Sequence, residues 1–260
     1  PKDLLPYDFK KENYSELGYI YEGITTYLGD LYWLKSGVFS LENYLRELSK
    51  QFQKHLDNPG RFAYSVSQSS FDTWLDGYVP GVPGRKVSIY TEGCLLAFVM
   101  DAKIRKATNN KRGIEEVMKR LYYNFAQNNK GYTEKDFIDL LENTSGESFQ
   151  DFFNDYVHGT TPYEAILLEA LEFIGLELIQ TPSNSYSEAK LGMKTVHQSN
   201  HLLISAIYPG SPTDMAGLSL GDELIALNTI KLNHDLDSCL NYFDASSKTL
   251  SFFRNGKLLQ

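Results

Sequence analysis

The strongest constraint on the fold is a change in hydrophobic periodicity near residue 175 of this 260-residue chain. Before that point apolar residues recur at intervals of three and four, which predicts amphipathic helices. After it, short apolar runs are separated by turn residues, which is typical of β-strands. The sequence therefore predicts an α+β protein with two domains, a helical one over residues 1–172 and a small β-rich one over residues 173–260.

The helical domain divides into several predicted helices. They cover residues 14–34, a stretch that follows the N-cap Ser40, and residues 88–108, 114–126, 134–142, 149–157 and 162–171. Thr133 and Asp136 match a capping box at the start of the helix at 134–142. Residues 94–100 are almost continuously apolar, so the helix that contains them is predicted to cross the interior. Residues 80–84 hold two prolines and two glycines, which predicts a loop. In the second domain, strands are predicted at residues 176–180, 191–196, 202–207, 223–227 and 249–254.

Composition excludes several classes of protein. Hydrophobic residues make up 42% of the chain, which excludes a disordered protein, and the net charge of −8 argues against a nucleic-acid partner. The longest apolar run is too short to span a bilayer. Cys94 and Cys239 lie far apart, so no disulfide framework is expected; a reducing, cytoplasmic location is favoured, and a periplasmic one remains open. A cysteine nucleophile is a default alternative.

Two histidines have the spacing of a zinc-binding helix. His197 and His201 are four residues apart, as in the motif H-E-x-x-H, but the residues between them are Gln198, Ser199 and Asn200. The glutamate that acts as general base is absent, and Ser-Asn favours a turn. This segment therefore predicts a surface hairpin and not a metal site.

Three short motifs occur in order in the helical half. Residues 21–30 read Tyr-Glu-Gly-Ile-Thr-Thr-Tyr-Leu-Gly-Asp and resemble the E-G-x-T-x-Y-x-G-D helix of the glycyl aminopeptidase family. These are zinc metallopeptidases of the gluzincin group with a thermolysin-like catalytic domain. Residues 65–74 resemble the family's S-V-x-x-x-S-F-D-x-W segment, and residues 90–93 resemble Y-x-K-G, with Glu92 in place of lysine. The resemblance extends over residues 1 to about 165.

The resemblance implies roles for two residues. Glu22 matches the third zinc ligand of gluzincins, and Tyr90 matches a tyrosine that donates a hydrogen bond to the developing oxyanion. From the residues alone, a solvent-exposed helix glutamate and a core tyrosine are the alternatives. We expect small neighbours to leave room for the metal around Glu22, and these are Gly18, Thr25, Thr26 and Gly29.

The histidine ligands implied by the resemblance are absent from this sequence. No H-E-x-x-H occurs in the 260 residues, and in the family that motif precedes a segment resembling Pro1-Lys2-Asp3-Leu4. We therefore expect the chain to be the C-terminal piece of a longer aminopeptidase whose cofactor is Zn²⁺ and whose substrates are peptides. A single glutamate is one ligand of a site that needs three, so the chain alone is expected to bind zinc poorly and to be inactive.

The second domain resembles a bacterial-type PDZ domain. The resemblance rests on Leu-Gly-Met at residues 191–193, Tyr-Pro-Gly-Ser-Pro at 208–212, Ala-Gly-Leu at 216–218 and Leu-Gly-Asp-Glu-Leu-Ile at 220–225. It implies that Leu191, Gly192 and Met193 offer backbone N–H groups to a peptide carboxylate, and that the next strand pairs with the peptide beside a helix at 235–243. A groove left empty is the alternative. A non-catalytic peptide-binding or regulatory module is the second functional hypothesis.

Overall fold

The computed structural model describes residues 1–76, 82, 84–233, 235–243 and 247–260. The chain forms two compact units, Pro1–Leu178 and Ile179–Gln260. The division falls shortly after residue 172, the domain end predicted from the sequence, because Leu176 and Leu178 still pack against the core of the first unit. The loop predicted at residues 80–84 lies mostly outside the described residues.

The first unit is helical. Its α-helices are α1 (Thr25–Lys35), α2 (Leu41–Asp57), α3 (Val66–Phe71), α4 (Thr73–Asp76), α5 (Ile89–Ala107), α6 (Ile114–Asn124), α7 (Glu134–Ser145), α8 (Gln150–Phe152) and α9 (Glu164–Phe173). A π-helical turn, Tyr19–Ile24, precedes α1, and another, Phe153–Val157, follows α8. Short 3₁₀ turns occur at Lys2–Leu4, Pro59–Phe62 and Ala126–Asn128.

Helix α5 forms the centre of the first unit. Every residue from 94 to 102 is buried, and the first π-turn together with α1, α2, α3, α6, α7 and α9 packs around the helix. Ser88 begins α5 as its N-cap, because its hydroxyl accepts a hydrogen bond from the Thr91 N–H at 3.3 Å. The interior helix predicted from the apolar run is confirmed.

The ends of other helices also follow local sequence signals. Thr133 and Asp136 form the predicted capping box of α7, and Ser40 caps α2 through the Asn43 N–H. The helix predicted over residues 14–34 differs at its start. Helical structure begins only at Tyr19, and its first turn is a π-turn continuous with α1.

The described residues of the second unit form an antiparallel sheet. Its strands are β1 (Met193–Gln198), β2 (His201–Ile207), β3 (Glu223–Leu227), β4 (Ile230–Lys231), β5 (Leu250–Arg254) and β6 (Lys257–Leu259). The order is β1-β2-β3-β5-β6, and β4 pairs with β3. The described part of the unit also contains a π-turn at Ser187–Leu191 and the helices α10 (Pro212–Met215) and α11 (Leu236–Tyr242).

The predicted α+β class is confirmed, and so is the hairpin at residues 197–201, where Gln198 pairs with His201. The strand predicted at 176–180 is wrong. That segment has no regular structure, because its leucines extend the helical core instead of pairing in the sheet. The short strands β4 and β6 were not predicted. Within the described part of the chain, no helix is both long and apolar enough to cross a membrane.

Candidate functional site

The first π-turn and α5 cross at two glycines. A Cβ atom on Gly23 would lie 2.3 Å from the Cα of Gly93, and a Cβ atom on Gly93 would lie 2.4 Å from the carbonyl oxygen of Tyr19. Side chains do not fit at such separations, so both positions require glycine. Glu22 is next to Gly23, and Tyr90 lies about one turn before Gly93. The crossing therefore fixes the backbones that carry both predicted site residues.

The segment at residues 65–74 supports the start of the π-turn. The Tyr19 N–H donates to the Ser70 hydroxyl at 3.1 Å, and that hydroxyl donates to the Val66 carbonyl at 2.7 Å. Ser65 and Gln68 form a capping box that begins α3. This second motif of the family resemblance thus positions the turn that contains the first motif.

Asp72, in the same segment, connects α3 to the chain that leads into α5. Its carboxylate accepts hydrogen bonds from the Tyr64 hydroxyl at 2.6 Å and from Arg85 at 2.8 Å. Both bonds stabilise the charged form, so they lower the pKa of Asp72 below its ordinary value. The indole of Trp74 donates to the Asn13 carbonyl at 3.0 Å. Hydrogen bonds from Asp72 and Trp74 therefore hold the segment against neighbouring parts of the first unit.

Glu22 is half-buried in the π-turn. Its backbone carbonyl accepts hydrogen bonds from the hydroxyls of Thr25 at 3.0 Å and Thr26 at 2.7 Å. Among the described residues, no hydrogen bond or ion pair engages its carboxylate. A half-buried carboxylate without a protein partner can accept a cationic ligand, and π-turns occur frequently at functional sites.

The small residues expected around Glu22 have different surroundings. Gly18 is buried, and a Cβ atom there would lie 2.9 Å from Ile89 and 3.0 Å from Ser70. Gly29 has nothing within 4 Å of such an atom. The expectation that Gly18 leaves room for a metal is wrong, because Ile89 and Ser70 already fill the space beside it.

Tyr90 borders an open cleft of about 480 Å³ between the C-terminal end of α2 and the first turn of α5. The residues that line the cleft carry polar side chains, and besides Tyr90 they are Thr26, Gln51, Lys54, Asn58, Ser88, Thr91 and Glu92. Glu22 itself is not among the described residues that line the cleft. Thr26, one turn after Glu22, joins the cleft to the Glu22 turn through its hydrogen bond to the Glu22 carbonyl.

A buried charged cluster lies behind the cleft. Glu92 and His55 are 2% and 1% exposed, and Glu92 Oε2 lies 2.7 Å from His55 Nδ1. Arg61 approaches His55 Nε2 at 3.3 Å and forms an ion pair with Glu164 at 2.8 Å. The His55 ring stacks on Tyr163 with centroids 4.8 Å apart. We call these five residues the buried cluster; the Glu164 side chain, 43% exposed, lies at its outer end.

Hydrogen-bond chemistry assigns the protons of this cluster. A guanidinium group only donates, so His55 Nε2 must accept from Arg61 and His55 Nδ1 must donate to Glu92. The hydrogen bond from Arg61 lowers the pKa of Glu164. Burial raises the pKa of Tyr163 well above its ordinary value, and the negative charge of Glu92 raises it further. No sequence spacing identified His55; the only signal was Glu92, at the position where the family motif has lysine.

The described residues form no complete metal site. Among them, no three His, Cys, Asp or Glu side chains come together in a way that could hold a metal ion. Glu22 remains a single candidate ligand. Two further histidines each contact a glutamate other than Glu22. His158 lies 2.8 Å from Glu134, and His201 lies 2.6 Å from Glu223.

The predicted carboxylate-binding loop of the second unit lies at the entrance to β1. Leu191 ends a π-turn, Gly192 has a φ of 71°, and Met193 begins β1. A Cβ atom on Gly192 would lie 2.3 Å from the Cβ of Ser211, so glycine is required there. The Gly192 N–H already donates to the Glu188 carbonyl at 3.2 Å. The terminal position of β1 in the sheet leaves its outer edge as the place where a peptide strand could add.

Comparison with known proteins agrees with this architecture. Residues 1–96 match the M61 glycyl aminopeptidase family. The whole chain aligns with a crystal structure of an aminopeptidase N family protein from Idiomarina loihiensis at a TM-score of 0.85 and 28% sequence identity. The alignment covers 46% of that protein, so the chain spans less than half of its length. No curated protein matches the chain.

These similarities define the class of protein. The helical unit, with its two crossing glycines, and the β-rich unit are similar in fold to part of an aminopeptidase N family protein. The resemblance of the chain to the glycyl aminopeptidases, a family of peptidases, is confirmed through residues 1–96.

Proposed function

We propose that these residues form part of a zinc-dependent aminopeptidase, with Glu22 as a zinc ligand and Tyr90 as the oxyanion donor. The observation that carries the proposal is the half-buried Glu22 carboxylate, which has no partner among the described residues and occupies the ligand position of the family motif. The family match over residues 1–96 includes both residues. Hydrolysis near the N-terminus of a peptide is the reaction that this assignment implies.

The chemistry of Glu22 fits zinc, but only as one ligand of several. Carboxylate oxygen is a regular ligand of catalytic zinc, which takes three protein ligands and keeps one position open. The two histidine ligands would come from residues outside this sequence, because it contains no H-E-x-x-H. When bound, Zn²⁺ supplies a Lewis acid that polarises the substrate carbonyl and activates water.

The residues of this chain would orient the peptide and stabilise charge. The Tyr90 hydroxyl would donate a hydrogen bond to the carbonyl oxygen as negative charge develops on it. The polar wall of the cleft, including Thr26, Ser88 and Asn58, offers hydrogen-bonding groups for the peptide backbone. These groups lie on helices or at their ends, so their backbone positions are rigid.

Metal analysis tests the assignment of Glu22. In a protein that joins these residues to an H-E-x-x-H segment, Glu22→Gln should lower the zinc content per chain, because the neutral amide is a much weaker ligand. Glu16→Gln is the matched control, since Glu16 is an exposed glutamate just before the same turn. Full zinc retention in the Glu22 variant would remove this residue from the site.

The second candidate function is peptide binding by the β-rich unit. It is favoured by the turn at residues 191–193, which leads directly into the terminal strand β1. An extended peptide could add along this edge, with its carboxylate near the turn. Because the Gly192 N–H already has an acceptor, the carboxylate would need neighbouring donors or a rearrangement of the π-turn.

Peptide titration separates this candidate from the first. With the ¹⁵N-labelled 260-residue chain, a peptide that has a free C-terminal carboxylate should shift the amide signals of residues 191–196. The same peptide with an amidated C-terminus should shift them less. No shift with either peptide would leave the groove without a function in peptide binding.

A further inference from the structure

We propose that His55 is a positioning residue that holds the two walls of the cleft together and so fixes Tyr90. The inference rests on the proposed function for the role of Tyr90 in catalysis. Its geometric content stands independently: one buried hydrogen bond sets the spacing between α2 and α5 beneath the cleft.

The two walls of the cleft come from different helices. The first wall contains Gln51 and Lys54 of α2 and Asn58 just after it, and the second contains the start of α5 with Ser88 and Tyr90. His55 lies on α2 one turn after Gln51. Glu92 lies in the first turns of α5, two residues after Tyr90. The 2.7 Å contact between His55 and Glu92 therefore joins the two walls at their base.

The contact between Arg61 and His55 determines which way the hydrogen bond between His55 and Glu92 runs. Arg61 donates to His55 Nε2, which leaves the single ring proton on Nδ1, where it points to Glu92. The ion pair with Glu164 holds Arg61, and stacking on Tyr163 at an interplanar angle of 15° holds the plane of the ring. His55 thus has a defined tautomer and orientation, as expected of a residue that positions another group.

Glu92 connects the buried cluster to the cleft. It lines both the open cleft and a small cavity that also borders His55, Arg61 and Tyr163. A shift of the Glu92 carboxylate would move the first turns of α5, since the side chain is 2% exposed and closely packed. Tyr90 belongs to the same turns and would move with them.

Two variants of His55 distinguish positioning from packing. In His55→Asn the amide nitrogen can take the place of Nδ1 and still donate to Glu92, whereas in His55→Gln the amide lies near the place of Nε2. Both variants lose the stacking on Tyr163. The probe is the ring signal of Tyr90 in the 260-residue chain labelled with ¹³C-tyrosine, assigned by comparison with Tyr90→Phe.

We expect the Tyr90 signal to stay in place in His55→Asn and to shift or split in His55→Gln. His201→Gln removes a histidine that pairs with a glutamate in the other unit and should leave the signal unchanged. An unchanged Tyr90 signal in the folded His55→Gln protein would overturn the proposal. Equal shifts in both His55 variants would also overturn it, because they would show a packing effect.

A measurement on the unaltered chain keeps the proposal testable if a variant does not fold. The ¹⁵N signals of the His55 ring should show a neutral ring protonated at Nδ1, and a ring protonated at Nε2 would overturn the proposal. None of these measurements involves zinc. If Glu22 proves not to bind zinc, the outcome of these measurements is therefore unaffected. An unaltered kcat in Tyr90→Phe would refute the catalytic role of Tyr90 but not its positioning by His55.

Discussion

Gly23 and Gly93 meet backbone to backbone, so that a Cβ atom added to Gly23 would lie 2.3 Å from the Cα of Gly93. This contact lets the π-turn lie directly on α5. It also places the candidate zinc ligand and the candidate oxyanion donor on two elements whose separation cannot change without a change at the glycines.

Replacing Gly23 should therefore cost stability. Gly23→Ala forces a methyl group against backbone, and we expect the free energy of unfolding to fall by about 1–3 kcal/mol, as for overpacked cores. Gly29→Ala is the matched control, because nothing lies within 4 Å of its added methyl group and alanine favours the helix by roughly 1 kcal/mol. Urea unfolding measures both changes, and equal effects of the two substitutions would contradict the close contact.

If Tyr90 is the oxyanion donor, replacing it should lower kcat and leave the zinc content unchanged. In the zinc-containing protein, Tyr90→Phe should lower kcat by about 10²-fold or more, the usual effect of removing one oxyanion donor. Zinc content should remain that of the unaltered enzyme. Steady-state kinetics and metal analysis on the same sample give the answer, and an unaltered kcat would exclude Tyr90 from the reaction.

Two histidine–glutamate pairs in the first unit differ in burial, so removing the histidine should lower the free energy of unfolding by different amounts. His55→Leu leaves the buried Glu92 without its donor, so we expect a loss of about 3–5 kcal/mol in the free energy of unfolding. His158→Leu breaks a contact to Glu134 in which the histidine is 40% exposed, and about 0–1 kcal/mol is expected. Thermal or urea unfolding compares them. Similar losses would indicate that the His55–Glu92 contact stabilises the fold no more than the exposed pair does.

The two free thiols should differ in reactivity. Burial raises the pKa of Cys94 to about 12, so very little of it is thiolate near neutral pH. The pKa of Cys239 is also raised, by burial and by Asp235, but this thiol is only half-buried. Iodoacetamide followed by mass spectrometry should therefore label Cys239 first. Early labelling of Cys94 in the folded chain would contradict its burial.

Acid should weaken the link made by Asp72. Its folded pKa lies below the ordinary value of 3.8, so the stabilisation is present above that value and is lost as the pH falls toward the folded pKa. Asp72→Asn should lower stability at neutral pH and reduce the loss of stability below about pH 4. Unfolding free energies measured over this range in both proteins test the sign. Parallel pH profiles would show that Asp72 contributes nothing to acid sensitivity.

Local signals predicted much of the secondary structure. The apolar run at residues 94–100 identified α5, and the capping residues Ser40 and Thr133 marked the starts of α2 and α7, because these signals act within a few residues. The strand predicted at residues 176–180 failed for a non-local reason. Its leucines found burial against helices of the first unit, which a window of sequence cannot reveal.

By itself, the sequence determined the α+β class, most of the helices, four of the strands, and the motif positions of Glu22 and Tyr90. Only the tertiary structure showed that two glycines bring the π-turn onto α5, that Gly18 faces the interior, and that His55 pairs with Glu92. The physical reason is distance along the chain. Periodicity and capping are properties of neighbouring residues, whereas the crossing and the buried cluster join residues tens of positions apart, and burial alone makes those contacts strong.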